Sequence, residues 1–165
     1  MIIAPTGSVP DPVDREMAHY RTVIDIPMSR EELFAYMAAF ENGAEWDPGI
    51  VEGERLGKGE LGVGSQFRIV VSNMGRQSPM IYELIEYDPP GSATFQAETS
   101  AIRSTDSITV SQRPGGSSRL TWEADLRLKG VLRLWDIPMR LIFKRIGDKA
   151  RNGLVGVLVI FTALL

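Results

Sequence analysis

One acidic side chain is predicted to lie on the buried face of a strand, where a carboxyl group can take part in chemistry. Within residues 102–110, apolar and polar residues alternate, as in a strand with one buried face. Ile108 and Val110 define the buried side, and the same alternation places Ser104 and Asp106 there too. The pattern therefore predicts a carboxyl group that points into the interior of the protein.

A buried Asp106 would have either a structural or a functional role. A structural carboxylate would be satisfied by a partner such as Arg68 or Tyr82, or a β-bulge would turn it outward. A functional carboxyl group would face a water-filled cavity as the polar anchor of a ligand pocket, with a raised pKa that suits a general acid or base. Asp106 is the one candidate catalytic residue that the sequence offers.

Other residue types that carry chemistry are scarce. The chain has a single histidine, His19, and no cysteine. His19 alternates with the apolar residues of its segment, as Arg21 and Asp25 do, so we expect it on the wet side of the sheet. One histidine without cysteine is a poor basis for a zinc or iron site, and no Gly-x-Ser-x-Gly segment marks a serine nucleophile. We therefore expect neither a metal nor a cofactor.

Apolar and aromatic residues at predicted inward positions could line a pocket around Asp106. Pockets for small molecules usually combine apolar walls with a few polar groups. Tyr82, Tyr20 and Trp122 would supply hydroxyl or indole donors, although each of them alone is better explained as an ordinary core aromatic. Trp46 lies in a turn near the expected mouth. The predicted pocket residues are Tyr20, Trp46, Phe67, Ile69, Tyr82, Phe95, Ser104, Asp106, Ile108, Trp122, Ile142, Ile146 and Ala150.

Short strands and two short helices must position these residues. Alternating segments separated by turn residues predict seven strands. They are residues 20–26, 50–56, 65–72, 80–87, 92–99, 102–112 and 118–129. Ser29 and Glu32 form a capping-box pattern that predicts a helix over residues 30–38, and a second short helix is expected at residues 40–45.

A long amphipathic helix is predicted from about residue 136 to residue 165. Its predicted apolar face consists of Met139, Ile142, Ile146, Ala150, Gly153 and Val157. A helix of this kind after a run of strands can cover the open face of a curved sheet. Residues 153–165 carry no charge but are fewer than the about 20 that cross a bilayer. We expect no transmembrane span, and either a buried helix end, a homodimer contact or a peripheral membrane contact.

Length and composition narrow the class of protein. A chain of 165 residues predicts one domain, residues 18–165, after a flexible arm at residues 1–17 that does not look like a secretory signal. The net charge of -3 gives no reason to expect nucleic acid as a partner. The absence of cysteine is compatible with a reducing compartment, so we expect a cytoplasmic protein.

The order of these segments resembles the SRPBCC superfamily, which includes START-related lipid-transfer domains and polyketide cyclase/dehydrase-like proteins. The matching stretches are VIDIPMSREELFAYMAAFENGAEWDPGI, GVGSQF, YELIEYDPP, SRLTWEADLRLKG and FKRIGDKARNGL. The resemblance implies an α+β helix-grip fold, in which a seven-stranded antiparallel sheet wraps around the long C-terminal helix. Two short helices follow the first strand, and a cavity separates sheet and helix.

The resemblance also implies a choice of functions. The first is binding or transport of a hydrophobic small molecule, such as a lipid, polyketide or isoprenoid, in the cavity. The first alternative is a polyketide cyclase or aromatase-like enzyme, for which the superfamily provides no shared catalytic motif. The further alternative is an interaction module that uses the apolar C-terminal tail.

Overall fold

The computed structural model describes residues 17–73, 75–130 and 136–164. Seven strands form one antiparallel sheet: β1 (Met17–Ile26), β2 (Ile50–Leu56), β3 (Gln66–Asn73), β4 (Arg76–Asp88), β5 (Ser92–Glu98), β6 (Ile102–Gln112) and β7 (Ser118–Leu128). The strand order is β1-β7-β6-β5-β4-β3-β2, so the first strand pairs with the last. The α-helices are α1 (Arg30–Ala38), α2 (Gly43–Trp46) and α3 (Asp136–Ala163), and a 3₁₀ helix (Phe40–Asn42) precedes α2. The predicted α+β helix-grip fold is confirmed.

The sheet has one buried and one wet face, as the alternation predicts. On β6, Ser104, Asp106, Ile108 and Val110 are all buried. Ion pairs cover the outer face, among them the bidentate contact of Arg119 with Asp25 at 2.7 and 2.8 Å. His19 lies on this outer face, and its Nδ1 is 2.7 Å from an oxygen of Asp125. The expected surface position of His19 is therefore confirmed.

Helix α1 begins at the predicted capping box. The hydroxyl of Ser29 accepts a hydrogen bond from the amide of Glu32 at 3.3 Å, and the Glu32 carboxylate accepts one from the amide of Ser29 at 3.3 Å. Leu33, Phe34 and Met37 then form the buried face of the helix. The side chain of Arg30 donates to the carbonyl oxygen of Val110, which connects the start of α1 to the end of β6.

The inward face of α3 differs from the predicted one. Its buried residues are Gly147, Ala150, Leu154 and Leu158. Of the residues predicted to face inward, Ala150 is buried, but Ile142 and Ile146 are 45% and 38% exposed. The predicted inward position of these two isoleucines is therefore wrong.

Two glycines explain this rotation of α3. A Cβ atom at Gly147 would lie 2.5 Å from the ring of Tyr20, and one at Gly153 would lie 1.9 Å from the carbonyl oxygen of Trp46. Contacts this close are open only to glycine, so the helix docks on β1 and α2 through these positions. The apolar pattern placed Gly153, Ala150 and Val157 on the inward side but missed Gly147, because it gives weight to the side chains of Ile142 and Ile146 and not to glycine.

The end of α3 is only partly covered. Leu154 and Leu158 are fully buried, whereas Val159, Ile160 and Leu164 are 52%, 61% and 80% exposed. Within the described residues, no helix combines the length and the hydropathy that a bilayer-crossing segment needs. Residues 1–16 of the predicted N-terminal arm lie outside the described residues, so the division into arm and domain stays a prediction.

Candidate functional site

Adjacent strands bring a small group of polar side chains together on the concave face of the sheet. Register places Tyr82 of β4 opposite Ala97 of β5, and Ala97 opposite Ser104 of β6. On the other side of β6, Asp106 lies opposite Ala124 of β7. Ser104 and Asp106 each have an alanine as one cross-strand neighbour, while Leu126 lies on the other side of Ser104 and Phe95 on the other side of Asp106.

These polar groups form a buried hydrogen-bond network, which we call the polar cluster: Tyr82, Ser104, Asp106 and Trp122. The Tyr82 hydroxyl donates to Ser104 Oγ at 3.0 Å, and Trp122 Nε1 donates to Asp106 Oδ1 at 3.1 Å. The Ser104 side chain lies near the Asp106 carboxyl group and acts to lower its pKa. Trp122 is thus the hydrogen-bond donor to the carboxyl group, and Tyr82 and Ser104 form a second bonded pair beside it.

The alternatives considered for Asp106 can now be separated. Arg68 is not its partner, because Arg68 contacts Glu52 at 2.6 Å in an ion pair on the outer face. The β-bulge that would turn Asp106 outward is also wrong, since β6 keeps a continuous register with both neighbouring strands. Asp106 is buried with 9% exposure, as its position in the alternation predicts.

The surroundings of Asp106 disfavour its charge. Burial raises the pKa of Asp106 to about 7, and the charges of Asp47 and Asp125 act in the same direction, while Trp122 and Ser104 oppose the shift. Burial likewise raises the pKa of Tyr82, to which the charge of Asp106 adds. Near neutral pH, Asp106 can therefore either donate or accept a proton.

A second acidic side chain lies close enough to influence this network. Asp47 follows Trp46 in the turn after α2, and its Oδ1 accepts a hydrogen bond from the amide of Gly49 at 2.7 Å. Burial raises the pKa of Asp47, and the bond from Gly49 opposes this. The sequence marked this segment only as a turn, so the electrostatic influence of Asp47 on Asp106 was missed.

Aromatic rings enclose the polar cluster on two sides. Trp122 meets Tyr20 and Trp46 in edge contacts, with ring centroids 5.6 and 5.4 Å apart. From the 3₁₀ helix, Phe40 stacks on Phe95 at 4.2 Å and lies 5.0 Å from Tyr82. Sequence reasoning missed Phe40, for which the only signal was an apolar residue at the start of the second short helix.

Most of the predicted pocket residues do meet in the interior. Those that are buried are Tyr20, Trp46, Phe67, Ile69, Tyr82, Phe95, Ser104, Asp106, Ile108, Trp122 and Ala150. Ile142 and Ile146 do not join them, and Leu154 and Leu158 supply the buried α3 side chains instead. That the buried set lines a ligand pocket stays a prediction.

A separate groove of about 450 Å³ lies at the edge of the sheet, between β1 and α3. Its lining residues are His19, Tyr20, Arg21, Thr22, Lys144, Asp148 and Arg151. The groove is therefore polar and charged, unlike the apolar pocket predicted from the sequence. Tyr20 is common to both regions, because its ring lines the groove and also contacts Trp122 of the polar cluster.

Solved structures with the same arrangement of sheet and helices have very different sequences. A START superfamily protein from Mycobacterium smegmatis matches with a TM-score of 0.65 and 15% identity over 85% of this chain and 93% of its own. The Zhui aromatase/cyclase from Streptomyces sp. R1128 matches with a TM-score of 0.67 and 12% identity over 86% and 91%. A protein of Thermus thermophilus reaches a TM-score of 0.70 at 15% identity over 86% and 97%. At these identities the likeness concerns the fold alone.

Sequence comparison identifies the family. No curated protein matches the chain. The model of the family described as polyketide cyclase/dehydrase and lipid transport matches residues 17–157, which is most of the chain. The sheet order, the long C-terminal helix and this match agree with the resemblance on which the fold was predicted. The chain belongs to the polyketide cyclase/dehydrase and lipid transport family of the SRPBCC superfamily.

Proposed function

We propose that the chain binds a hydrophobic small molecule of the lipid, polyketide or isoprenoid type between the concave face of the sheet and α3. In this proposal a polar group of the ligand bonds the polar cluster, while its hydrocarbon part contacts the aromatic and aliphatic side chains around it. The observation that carries the proposal is the burial of Tyr82, Ser104 and Asp106 close together on a face whose other buried side chains are mostly apolar, with Thr22 and Ser118 as exceptions.

The energetics of the polar cluster support a functional role. Burying a carboxyl group and several donors costs free energy that an apolar core would not lose. Asp106 in particular has a pKa raised to about 7, so at neutral pH and above it lowers stability. Such costs are typical of sites that bind or react.

The small cross-strand neighbours give further support. Ala97 and Ala124 flank the polar groups, and Ala150 of α3 is also buried. Larger side chains at these positions would cover the hydroxyl and carboxyl groups. Alanine leaves them within reach of a guest that displaces mobile side chains, which fits the few oriented polar groups of small-molecule sites.

Native mass spectrometry of the protein purified from its own cells tests this proposal. We expect a co-purifying hydrophobic compound with the wild type and much less of it with Asp106→Asn or Ala97→Leu, which alter the anchor or fill the space beside it. Ile81→Leu is the matched control, because Ile81 lies on the outer face of the neighbouring strand and is 46% exposed. The proposal would be contradicted if the wild type and the three variants carried equal amounts of the compound, or if none of the four proteins carried any.

A cyclase or aromatase-like enzyme is the second candidate function. Asp106, with a pKa raised to about 7 and the hydrogen-bonded pair of Tyr82 and Ser104 close to it, has the properties of a general acid or base. The fold match to an aromatase/cyclase makes poly-β-carbonyl compounds the substrates to try. Conversion by the wild type but not by Asp106→Asn, at substrate concentrations that saturate both proteins, would establish this reading, and binding without conversion by the wild type would leave a carrier.

The exposed end of α3 supports the third candidate, an interaction module. Val159 and Ile160 of α3, with Leu164 just after the helix, expose apolar surface close together in the chain, which suits a homodimer or a peripheral membrane contact. Sedimentation velocity and vesicle flotation of the wild type and of Ile160→Glu/Leu164→Glu would test it. If the wild type and the double variant are both monomers that do not bind vesicles, this role for residues 153–165 is excluded.

A further inference from the structure

From the groove between β1 and α3 we infer a second binding site, which takes a phosphate-type oxyanion group rather than an apolar chain. The geometry is distinct from that of the polar cluster, because the groove lies at the edge of the sheet and its lining includes three cationic side chains, Arg21, Lys144 and Arg151. The overall charge of the chain is -3, so this concentration of cations is local.

Arg151 is the central residue of the inferred site. Its Nε donates to Thr22 Oγ1 at 3.0 Å, which fixes the plane of the guanidinium group against β1. Among the cations of the groove, Arg151 alone makes no carboxylate contact within 4 Å in the part of the chain that the structure describes, although its charge also acts on the nearby Asp148. Its two terminal nitrogens therefore form a pre-oriented fork, the geometry that binds phosphate in a bidentate manner.

The other charges of the groove are already balanced, which leaves Arg151 to attract the anion. Asp148 is bound by Lys144 at 2.8 Å and by the Tyr20 hydroxyl at 3.3 Å, so its carboxylate is partly neutralised. Arg21 contacts Glu123 at 3.2 Å, and His19 contacts Asp125 at 2.7 Å. A bound oxyanion would share the ammonium group of Lys144 with Asp148 and take both terminal nitrogens of Arg151.

The contacts of α3 keep this arrangement in place. Gly147 brings the helix against the ring of Tyr20, and the bonds from Tyr20 to Asp148 and from Arg151 to Thr22 fasten the same stretch to β1. The cationic groups are therefore held by a packed interface rather than by loops. Pre-organised donors lose less entropy when a ligand binds.

Titration of isotope-labelled protein with inorganic phosphate, followed by amide and guanidinium NMR signals, tests the inference. We expect saturable shifts at Thr22, Gly147 and Arg151. Affinity should fall about tenfold in Arg151→Gln and less in Lys144→Gln, since charged bidentate contacts are the stronger ones. Lys144 is largely exposed, so Lys144→Gln keeps the test valid if Arg151→Gln fails to fold.

Lys149→Gln is the matched control, because it removes one positive charge from an exposed position of α3 that does not line the groove. It should bind phosphate as the wild type does. An equal loss in Lys149→Gln would identify unspecific attraction, and the absence of saturable shifts in the wild type would mean that the groove binds no oxyanion. Either result overturns the inference.

A vesicle-binding experiment distinguishes the two possible sources of the phosphate group, a lipid headgroup and a soluble phosphorylated compound. Phosphatidylcholine vesicles with and without phosphatidic acid are sedimented with wild type and Arg151→Gln. Arg151-dependent binding to the phosphatidic acid vesicles identifies a lipid headgroup as the ligand, whereas Arg151-dependent binding of free phosphate alone identifies a soluble phosphorylated compound. Because the co-purification experiment on the polar cluster does not involve Arg151, the two proposals can fail separately.

Discussion

The carboxyl group of Asp106 and its hydrogen-bond partners determine what the interior of this protein can do. Trp122 donates a hydrogen bond to a group that burial would otherwise leave without a partner. Trp122 and Ser104 both favour the charged form, but burial and the neighbouring charges outweigh them, so the pKa lies at about 7. The protonation state of Asp106 is therefore linked to the stability of the fold.

We predict that Asp106 makes the free energy of unfolding fall as pH rises. In the unfolded chain the carboxyl group has its ordinary pKa of 3.8. From about pH 4 to about pH 7 the folded state keeps a proton that the unfolded state has lost, so stability present at low pH is lost by about pH 7, by roughly 4 kcal/mol in total. Asp106→Asn should remove this fall, which urea unfolding followed by tryptophan fluorescence at a series of pH values would measure.

Asp25 provides a control of opposite sign. Hydrogen bonds from Arg119 hold the pKa of Asp25 below its ordinary value, so its contribution to stability is present at neutral pH and is lost as pH falls through the folded-state pKa. Asp25→Asn should therefore cost stability mainly at neutral pH and leave the Asp106-dependent fall intact. Parallel stability curves for Asp106→Asn and the wild type would contradict the assignment.

Trp122→Phe tests the bond to Asp106 at the same scale. The phenyl ring keeps much of the packing against Tyr20 and Trp46, but the Nε1 donor is lost. Because the bond from Trp122 lowers the pKa of Asp106, its loss should move that pKa above about 7 and cost about 1 to 3 kcal/mol of stability. A titration of the Asp106 carboxyl carbon by NMR measures the shift.

Trp46→Phe is the matched control for this experiment, since it removes an indole from the same aromatic group without removing the donor to Asp106. It should leave the titration of Asp106 close to that of the wild type. An unchanged pKa in Trp122→Phe would show that the 3.1 Å contact contributes little in solution.

At the scale of elements, α3 is positioned by backbone contact more than by its large apolar side chains. Gly153 meets the Trp46 carbonyl oxygen and Gly147 meets the ring of Tyr20. Ile142 and Ile146, which are larger and more apolar, remain exposed. Close approach at two small residues thus decides which side of the helix faces the sheet.

The substitutions Gly153→Ala and Gly156→Ala distinguish the effect of α3 docking on stability from the effect of helix propensity. Both replace glycine by alanine in α3, but a Cβ at Gly153 would lie 1.9 Å from the Trp46 oxygen, whereas nothing lies within 4 Å at Gly156. We expect Gly153→Ala to destabilise by about 1 to 3 kcal/mol and Gly156→Ala to stabilise by up to about 1 kcal/mol. Chemical denaturation of both variants provides the measurement, and similar effects at the two positions would show that α3 does not dock as described.

The same contacts explain what the sequence could and could not predict about the elements. Strand β6 and helix α1 have the predicted bounds, because alternation and the Ser29 capping box are local signals. The face of α3 was predicted wrongly at Ile142 and Ile146, because the close approach of Gly147 to Tyr20, a residue far away in the chain, decides which side of that part of the helix faces the sheet. Local patterns carry no information about such distances.

At the scale of the molecule, the fold brings distant parts of the chain to one interior. Strand β1 pairs with β7, which places Tyr20 opposite Ala124 and beside the polar cluster. The inward position of Asp106 could be predicted from alternation alone, whereas its bond to Trp122 depends on the pairing of β6 with β7. The effect of the Asp47 charge on the pKa of Asp106 depends on where the turn after α2 lies. The candidate site could thus be predicted as a set of residues, but not as a network.

The 3₁₀ helix covers one side of that interior. Phe40 stacks on Phe95 and lies close to Tyr82 and Phe67, with ring centroids 4.2, 5.0 and 6.0 Å apart. Its ring therefore covers the aromatic surface beside the polar cluster. A hydrophobic guest that reaches Tyr82 from this side has to compete with Phe40 for the same contacts.

Phe40→Ala should therefore increase the affinity for a fluorescent fatty-acid analogue while it lowers stability by about 3 kcal/mol. Phe34→Ala is the matched control, because Phe34 is a buried phenylalanine that contacts Tyr87 at 5.8 Å instead of Tyr82. It should cost similar stability without a gain in affinity, as measured by fluorescence titration and urea unfolding. Equal gains in both variants would point to general loosening of the core, and no gain in Phe40→Ala would mean that the ring does not guard the ligand site. Tighter binding in Phe40→Ala alone would connect the aromatic stack, the polar cluster and the proposed ligand in a single interior site.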